Sequence, residues 1–194
     1  MAMCNLYTQT KSVDEVARVF RDLQVPLTFP EGIPNLQPRE IRITEQAPIV
    51  RMGEGGFELV SRRWSWPAPN GKPVYNFRSE GREFGSGRCL ILADSFFEFT
   101  PQEDPKAKRK HKWRFTLKDQ PMFAIAGLMR NEPGVGEAFT MLTTEPGPDV
   151  RPYHSRQVVV LPPTEFGRWL DPAVPAREVL KPLEAGSLSV EQIC

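Results

Sequence analysis

Hydrophobic positions along the chain follow two different periods. Val13, Val16, Ala17, Phe20 and Leu23 recur at helical spacing and share one face. Ser12 stands before them and Glu15 follows three residues later, the pairing of a capping box in which each residue serves the other's backbone N–H. Pro26 ends the pattern, because proline has no N–H to continue a helix. A helix is therefore predicted from Val13 to Leu23. Residues 26–40 carry Pro26, Pro30, Pro34 and Pro38 and read as an extended irregular loop.

After that loop the period is that of strands. Ala47–Arg51 and Phe57–Ser61 flank Gly53-Glu54-Gly55-Gly56, which predicts a hairpin. Cys89–Ala93 is a continuous apolar run, as expected of a buried strand. Phe96–Phe99 follows an Asp94-Ser95 turn. Trp113–Leu117 and Met122–Met129, separated by Lys118-Asp119-Gln120-Pro121, predict another hairpin. Phe139–Thr143 and Gln157–Leu161 read as two more strands. Pro163-Thr164-Glu165 opens a short second helix that runs through Leu170. Residues 171–194 are polar and broken by proline, a packed or frayed tail. No internal repeat is visible. The expected fold is α+β, one domain over residues 1–194 with a β-rich core and two or three short helices.

Composition narrows the reading. Proline accounts for 20 of the 194 residues, which punctuates the chain into short elements and disfavours a long-helix bundle. With 25 Lys+Arg against 24 Asp+Glu the net charge is +1, so a nucleic-acid partner would have to meet a local basic face. No stretch reaches the ~18 apolar residues that span a membrane. Met1-Ala2-Met3-Cys4-Asn5-Leu6-Tyr7 lacks the basic-then-apolar order of a secretory signal. The cysteines are Cys4, Cys89 and Cys194, odd in number and far apart, which speaks against a disulfide framework or a cysteine zinc site. His111 and His154 are the only histidines, so a metal has few soft ligands and none is expected. A reduced, cytosolic chain is the expectation.

Several residues have the chemistry of a site. Cys4 is either a small apolar residue on an early strand or, if Met3 is the initiator and is removed, the first residue of the chain. It would then hold a thiol and an α-amine of pKa ~7.7–8.0 on adjacent carbons. Such a pair traps an aldehyde twice, as an imine and then, by thiol addition, as a five-membered thiazolidine. His154 lies in Pro152-Tyr153-His154-Ser155-Arg156, a loop before an apolar strand. Glu98 lies between Phe97 and Phe99: it either faces outward on its strand or is partly buried with a raised pKa suited to general acid work. Asn76 orients a substrate or closes a turn. The basic run Lys106–Lys112 is a solvated hairpin tip or a phosphate contact. Trp64-Ser65-Trp66, preceded by Arg62 and Arg63, suits stacking on unpaired bases or core packing.

In this order the blocks resemble the SRAP family, the SOS-response-associated-peptidase-like proteins that crosslink to abasic sites in single-stranded DNA. Met3-Cys4-Asn5-Leu6-Tyr7 is similar to the family's start. Trp64 followed by Asn76-Phe77-Arg78-Ser79-Glu80 is similar to its tryptophan and N-x-R-x-E segment. Arg88-Cys89-Leu90 through Phe97-Glu98-Phe99 is similar to its R-C-[LI]…[FY]-E-W strand pair. Leu142-Thr143-Thr144 and His154 before Val158-Val159-Val160-Leu161 are similar to its T-T…H…P-V-[IV]-L segment. The blocks span residues 3–161.

The resemblance implies a β-rich α+β domain with a basic groove and no cofactor. It implies a monomer, cytoplasmic and nucleoid-associated when bound to its partner, single-stranded DNA containing abasic sites. Cys4 would be the nucleophile and crosslinking residue, and Asn76 would position the amine and sugar. Glu98 would shuttle protons, and His154 would assist imine formation or its reversal. Arg78 and Arg156 would contact phosphates, with Trp64, Trp66 and Thr143 completing the DNA-binding set. Three departures stand out. Met1-Ala2 precedes the family's start, Asn5-Leu6 replaces the usual Gly-Arg, and Phe99 replaces the usual Trp. A thiol peptidase acting through Cys4 and His154, on other chains or only on its own Met3–Cys4 bond, and a non-covalent single-strand binder are the competing functions.

Overall fold

The computed structural model describes residues 4–104, 106 and 109–193. The predicted first helix forms as α1 (Val13–Asp22), with the capping box complete. Glu15 N–H donates to Ser12 Oγ at 3.2 Å, and Ser12 N–H donates to the Glu15 carboxylate at 2.8 Å. Val16 and Phe20 are its buried residues and fasten it to the domain. A 3-10 turn (Pro163–Glu165) leads into α2 (Phe166–Leu170), and α3 (Ala176–Val179) follows.

The rest is mostly strand. In chain order the first eight are β1 (Leu6–Gln9), β2 (Leu27–Thr28), β3 (Arg39–Arg42), β4 (Gln46–Gly53), β5 (Gly56–Trp64), β6 (Trp66–Pro67), β7 (Pro73–Val74) and β8 (Asn76–Arg78). Then come β9 (Arg88–Ala93), β10 (Ser95–Thr100), β11 (His111–Leu117), β12 (Phe123–Glu132) and β13 (Gly136–Thr144). The last are β14 (Gln157–Val158), β15 (Val160–Leu161) and β16 (Leu188–Gln192). A five-stranded sheet runs β16-β11-β10-β1-β3, and a nine-stranded sheet runs β14-β13-β12-β9-β4-β5-β2 with β15 on β12 and β8 on β13. Strand β13 also pairs in parallel with β5, setting Ala138 beside Arg63 and Phe139 beside Trp64. That pairing closes β5, β4, β9, β12 and β13 into a ring without a free edge.

Alternation sorts the side chains into two cores. Ile49, Ile91, Ile125, Phe139 and Met141 pack together with Tyr7, Phe96 and Phe115 of the smaller sheet. Their neighbours Val50, Leu90, Leu92, Ala124 and Leu142 point the other way and lie under Val16 and Phe20 of α1 and Phe166 and Trp169 of α2. Strand β9 feeds both cores and is buried throughout, which is why its sequence is apolar without alternation.

Two expectations change, and the alternative left open for the tail is resolved. The hairpin predicted from Trp113–Leu117 and Met122–Met129 does not form. Strand β11 pairs with β10 and β16, whereas β12 pairs with β9, β13 and β15, so the chain crosses between sheets at Lys118–Pro121. The apolar run of β12 needs cover on both faces, which a strand of the smaller sheet does not supply. Gln157–Leu161 is likewise two short strands, because Val159 turns to bond Leu142 and Ala126 between them. The tail is not frayed: β16 zips onto β11 with Val190 beside Phe115 and Leu188 beside Leu117.

Candidate active site

Cys4 lies just before β1 with 1% of its surface exposed, and its Sγ donates to the Leu6 carbonyl at 3.4 Å. Two strands bring polar groups to it. Strand β8 runs parallel to β13, with Asn76 beside Met141 and Arg78 beside Thr143. From there Asn76 Nδ2 donates to the Cys4 carbonyl at 3.0 Å. Strand β10 lies against β1 with Phe96 beside Tyr7, which brings Glu98 alongside Cys4. The outward orientation considered for Glu98 does not occur, since it is 1% exposed.

Burial pushes the Glu98 carboxyl up to about 8, while the Cys4 backbone N–H, donating toward it, draws it partly back. Burial also pushes the Cys4 thiol well above its ordinary range, and the neighbouring Glu98 carboxylate adds to the shift. The resting sulfur is thus a thiol. Glu98 is the group beside the Cys4 nitrogen able to exchange a proton near neutrality.

His154 is buried in the turn between β13 and β14, where its Nδ1 meets the Arg156 N–H at 3.1 Å. Tyr153, next to it, packs on Trp113 at 4.6 Å and on Phe115 at 5.4 Å between ring centres. Trp113 is the β11 partner of Glu98, so the turn docks on the sheet that carries the carboxyl. Buried polar atoms normally find partners. Asn76 Oδ1, Glu98 Oε1 and His154 Nε2 are buried and have none among the described residues. Cys4, Asn76 and Glu98 thus form one contacting group with unmet hydrogen-bonding capacity.

The residues expected to hold DNA divide. Arg78 is exposed on β8, two positions from Asn76. Arg156 is only 15% exposed, with its guanidinium gripped by Glu80. Thr143 is fully buried; its Oγ1 accepts from Arg156 at 3.0 Å, so it holds that arginine and offers nothing to a strand. The stacking role expected of Trp64 and Trp66 does not fit their positions. Trp64 is fully buried at the β5–β13 junction, donates Nε1 to the Tyr75 carbonyl at 3.0 Å and meets the Tyr7 ring at 5.3 Å. Trp66 is buried too, and the Arg130 guanidinium covers its ring at 4.2 Å. Within the basic run, Lys112 pairs with Glu40 at 2.6 Å and lies over the Phe97 ring; residues 107 and 108 are outside the described residues. Met1-Ala2-Met3, the segment whose removal would free the Cys4 amine, also lies outside them.

Among the described residues no group of three or more His, Cys, Asp or Glu is placed to hold a metal ion, and no helix is long and apolar enough to cross a membrane. Glu80, which grips Arg156, enters the sequence pattern only as a letter of the N-x-R-x-E segment. Its place two residues past Arg78 in an extended segment was the available signal.

A closed β ring flanked by a second sheet, with a buried cysteine whose backbone nitrogen faces a carboxyl group, defines the class of domain. The family model described as SOS response associated peptidase (SRAP) matches residues 3–194, and the chain belongs to that family. Abasic site processing protein YoqW of Bacillus subtilis (strain 168) is 27% identical over 213 residues, covering 98% of this chain and 92% of its own. Abasic site processing protein YoaM of the same organism is 26% identical over 214 residues, covering 98% and 91%. A solved Bordetella bronchiseptica protein shares the fold with a TM-score of 0.73 at 23% identity, covering 98% of this chain and 100% of that one.

Proposed function

We propose that this protein senses abasic sites in single-stranded DNA and bonds to them covalently through Cys4 as the N-terminal residue, shielding the lesion. The observation that carries the reading is the Glu98 carboxyl held against the backbone nitrogen of Cys4. An opened abasic sugar carries an aldehyde at C1′. The α-amine of Cys4 adds to that carbon, and the carbinolamine loses its hydroxyl as water to leave an imine. The Cys4 sulfur then adds to the imine carbon while its proton passes to the nitrogen, which closes a thiazolidine with atoms and charge balanced. Glu98 gives a proton to the departing hydroxyl and takes one from the amine. Asn76 holds the Cys4 carbonyl and so fixes the direction of the amine. The printed names of the Bacillus relatives support the lesion as substrate.

A self-processing step fits the same geometry. A neutral carboxyl beside the Cys4 nitrogen is placed to protonate the amine leaving a cut Met3–Cys4 bond. Peptidase action on other proteins has less support: the Cys4 thiol is pushed away from the thiolate form, and its Sγ contacts a carbonyl rather than an imidazole.

The test is Cys4→Ala with an abasic single strand. The denaturation-resistant adduct should vanish, while reversible binding stays within about twofold because phosphate contacts do not involve the thiol. An undiminished stable adduct, or an intact mass showing fully active protein that keeps Ala2-Met3, would overturn the proposal.

A further inference from the structure

Arg156 is held at both ends. Its Nη1 and Nη2 meet the two carboxylate oxygens of Glu80 at 2.5 and 2.9 Å, the planar fork that a guanidinium offers and an ammonium does not. Nη2 also donates to Thr143 Oγ1 at 3.0 Å. Ser79, beside Glu80, donates both its N–H and its Oγ to the Thr143 carbonyl, at 3.0 and 2.8 Å. The segment carrying Asn76 and the segment carrying His154 are thereby clamped through one ion pair.

At its backbone, Arg156 faces the His154 ring. Nδ1 lies 3.1 Å from the Arg156 N–H and 3.0 Å from the Arg156 carbonyl. The N–H donates only, so with it in place Nδ1 is the acceptor and the neutral ring carries its proton on Nε2. With the carbonyl in place the proton would sit on Nδ1 instead. Rotation of the Arg156 backbone would exchange one partner for the other. His154 Nε2 is buried with no partner among the described residues, so the tautomer decides whether it meets a ligand as donor or acceptor.

We infer that Glu80 is a positioning residue for His154: its grip on Arg156 keeps the Arg156 N–H on Nδ1 and the proton on Nε2. The effect on rate rests on the function proposed above; the tautomer does not. The experiment uses the full chain, with Glu80→Gln, which keeps size and loses charge, and Arg156→Lys, which keeps charge and loses the fork. Long-range proton–nitrogen spectra of the imidazoles report the tautomer. They are simple to assign because the chain has only His111 and His154. Wild-type His154 should show the Nε2–H pattern, and both variants should lose it. Crosslinking at saturating abasic DNA should slow by about tenfold in both variants, with Kd of Glu80→Gln for an undamaged strand changed less than about twofold. An Nδ1–H ring in the wild type, or unchanged ring shifts in Glu80→Gln, overturns the inference. So does a tighter Kd with steeper salt dependence in Glu80→Gln, which would mean that Glu80 restrains Arg156 from phosphate. If wild type forms no adduct, the covalent function falls while the ring nitrogens still decide this point.

Discussion

Glu98 trades stability for proton exchange. An exposed glutamate titrates near ~4.3; the folded chain moves this one up to about 8. Below the unfolded value the carboxyl is neutral in both states and does not affect folding. As pH rises above it, the unfolded chain ionises while the folded chain must keep the group neutral, so stability falls until pH passes the folded value. Glu98→Gln removes that penalty. Its unfolding free energy from urea titration should match wild type at about pH 4 and exceed it at about pH 7, by on the order of 3 kcal/mol. The same variant should crosslink roughly 10²-fold more slowly, since an amide cannot exchange a proton. This window belongs to the chain with an amide at Cys4; a freed ammonium there would draw the carboxyl down and narrow it. Equal unfolding free energies at both pH values, with an unchanged rate, would return Glu98 to a plain strand residue.

At the level of elements, Arg88 ties a strand to a helix. It opens β9, yet its guanidinium donates to the carbonyls of Phe84, Trp169, Asp171 and Val174 at 2.7 to 3.2 Å and lies over the Trp169 ring at 4.7 Å. The last carbonyls of a helix have no partner within it, and Arg88 supplies one for α2. Arg88→Met should lower stability by about 3 kcal/mol in urea titrations, with Arg88→Lys between the two; a loss under about 1 kcal/mol would show that the clasp does not matter. Such ties are what the sequence hides. The hairpin at Gly53–Gly56 is legible because its partners are neighbours and its turn glycines lie between them. Trp113–Leu117 and Met122–Met129 look equally close, but turn residues do not reveal that β11 pairs back with β10 and out to β16, while β12 pairs with β9, β13 and β15. Leu188 and Val190 alternate with polar neighbours, a short strand pattern obscured by the prolines before it. Cys4, Asn76, Glu98 and His154 can be singled out by the order of their blocks. The facing of Glu98 cannot, because Phe96-Phe97-Glu98-Phe99 has an aromatic on either face of the strand. The choice between stacking and core packing for Trp64 and Trp66 is not legible locally, because the partners of the adjacent Arg62, Glu31 and Glu137, are remote in sequence.

For the whole molecule, a net charge of +1 gives no long-range pull on a polyanion. Affinity for a strand has to come from individual cations left available on one face. Many are not. Arg51 and Arg62 are tied to Glu58, Glu31 and Glu137, Lys112 to Glu40, and Arg156 to Glu80. Arg78 differs: it is exposed, and it stands on the short strand that also holds Asn76 against Cys4. Alternation puts residues two apart on the same side of a strand, so a phosphate at Arg78 would set a neighbouring sugar near Asn76. Each phosphate contact releases counterions and contributes about 0.7 to the salt slope for a single strand. Arg78→Ala should therefore weaken binding to undamaged single strands and flatten the plot of log affinity against log salt by about that amount. Arg62→Ala, which removes a cation already neutralised by two carboxylates, should leave the slope unchanged. A salt titration of both variants decides the point, and an unchanged slope in Arg78→Ala would make that arginine structural.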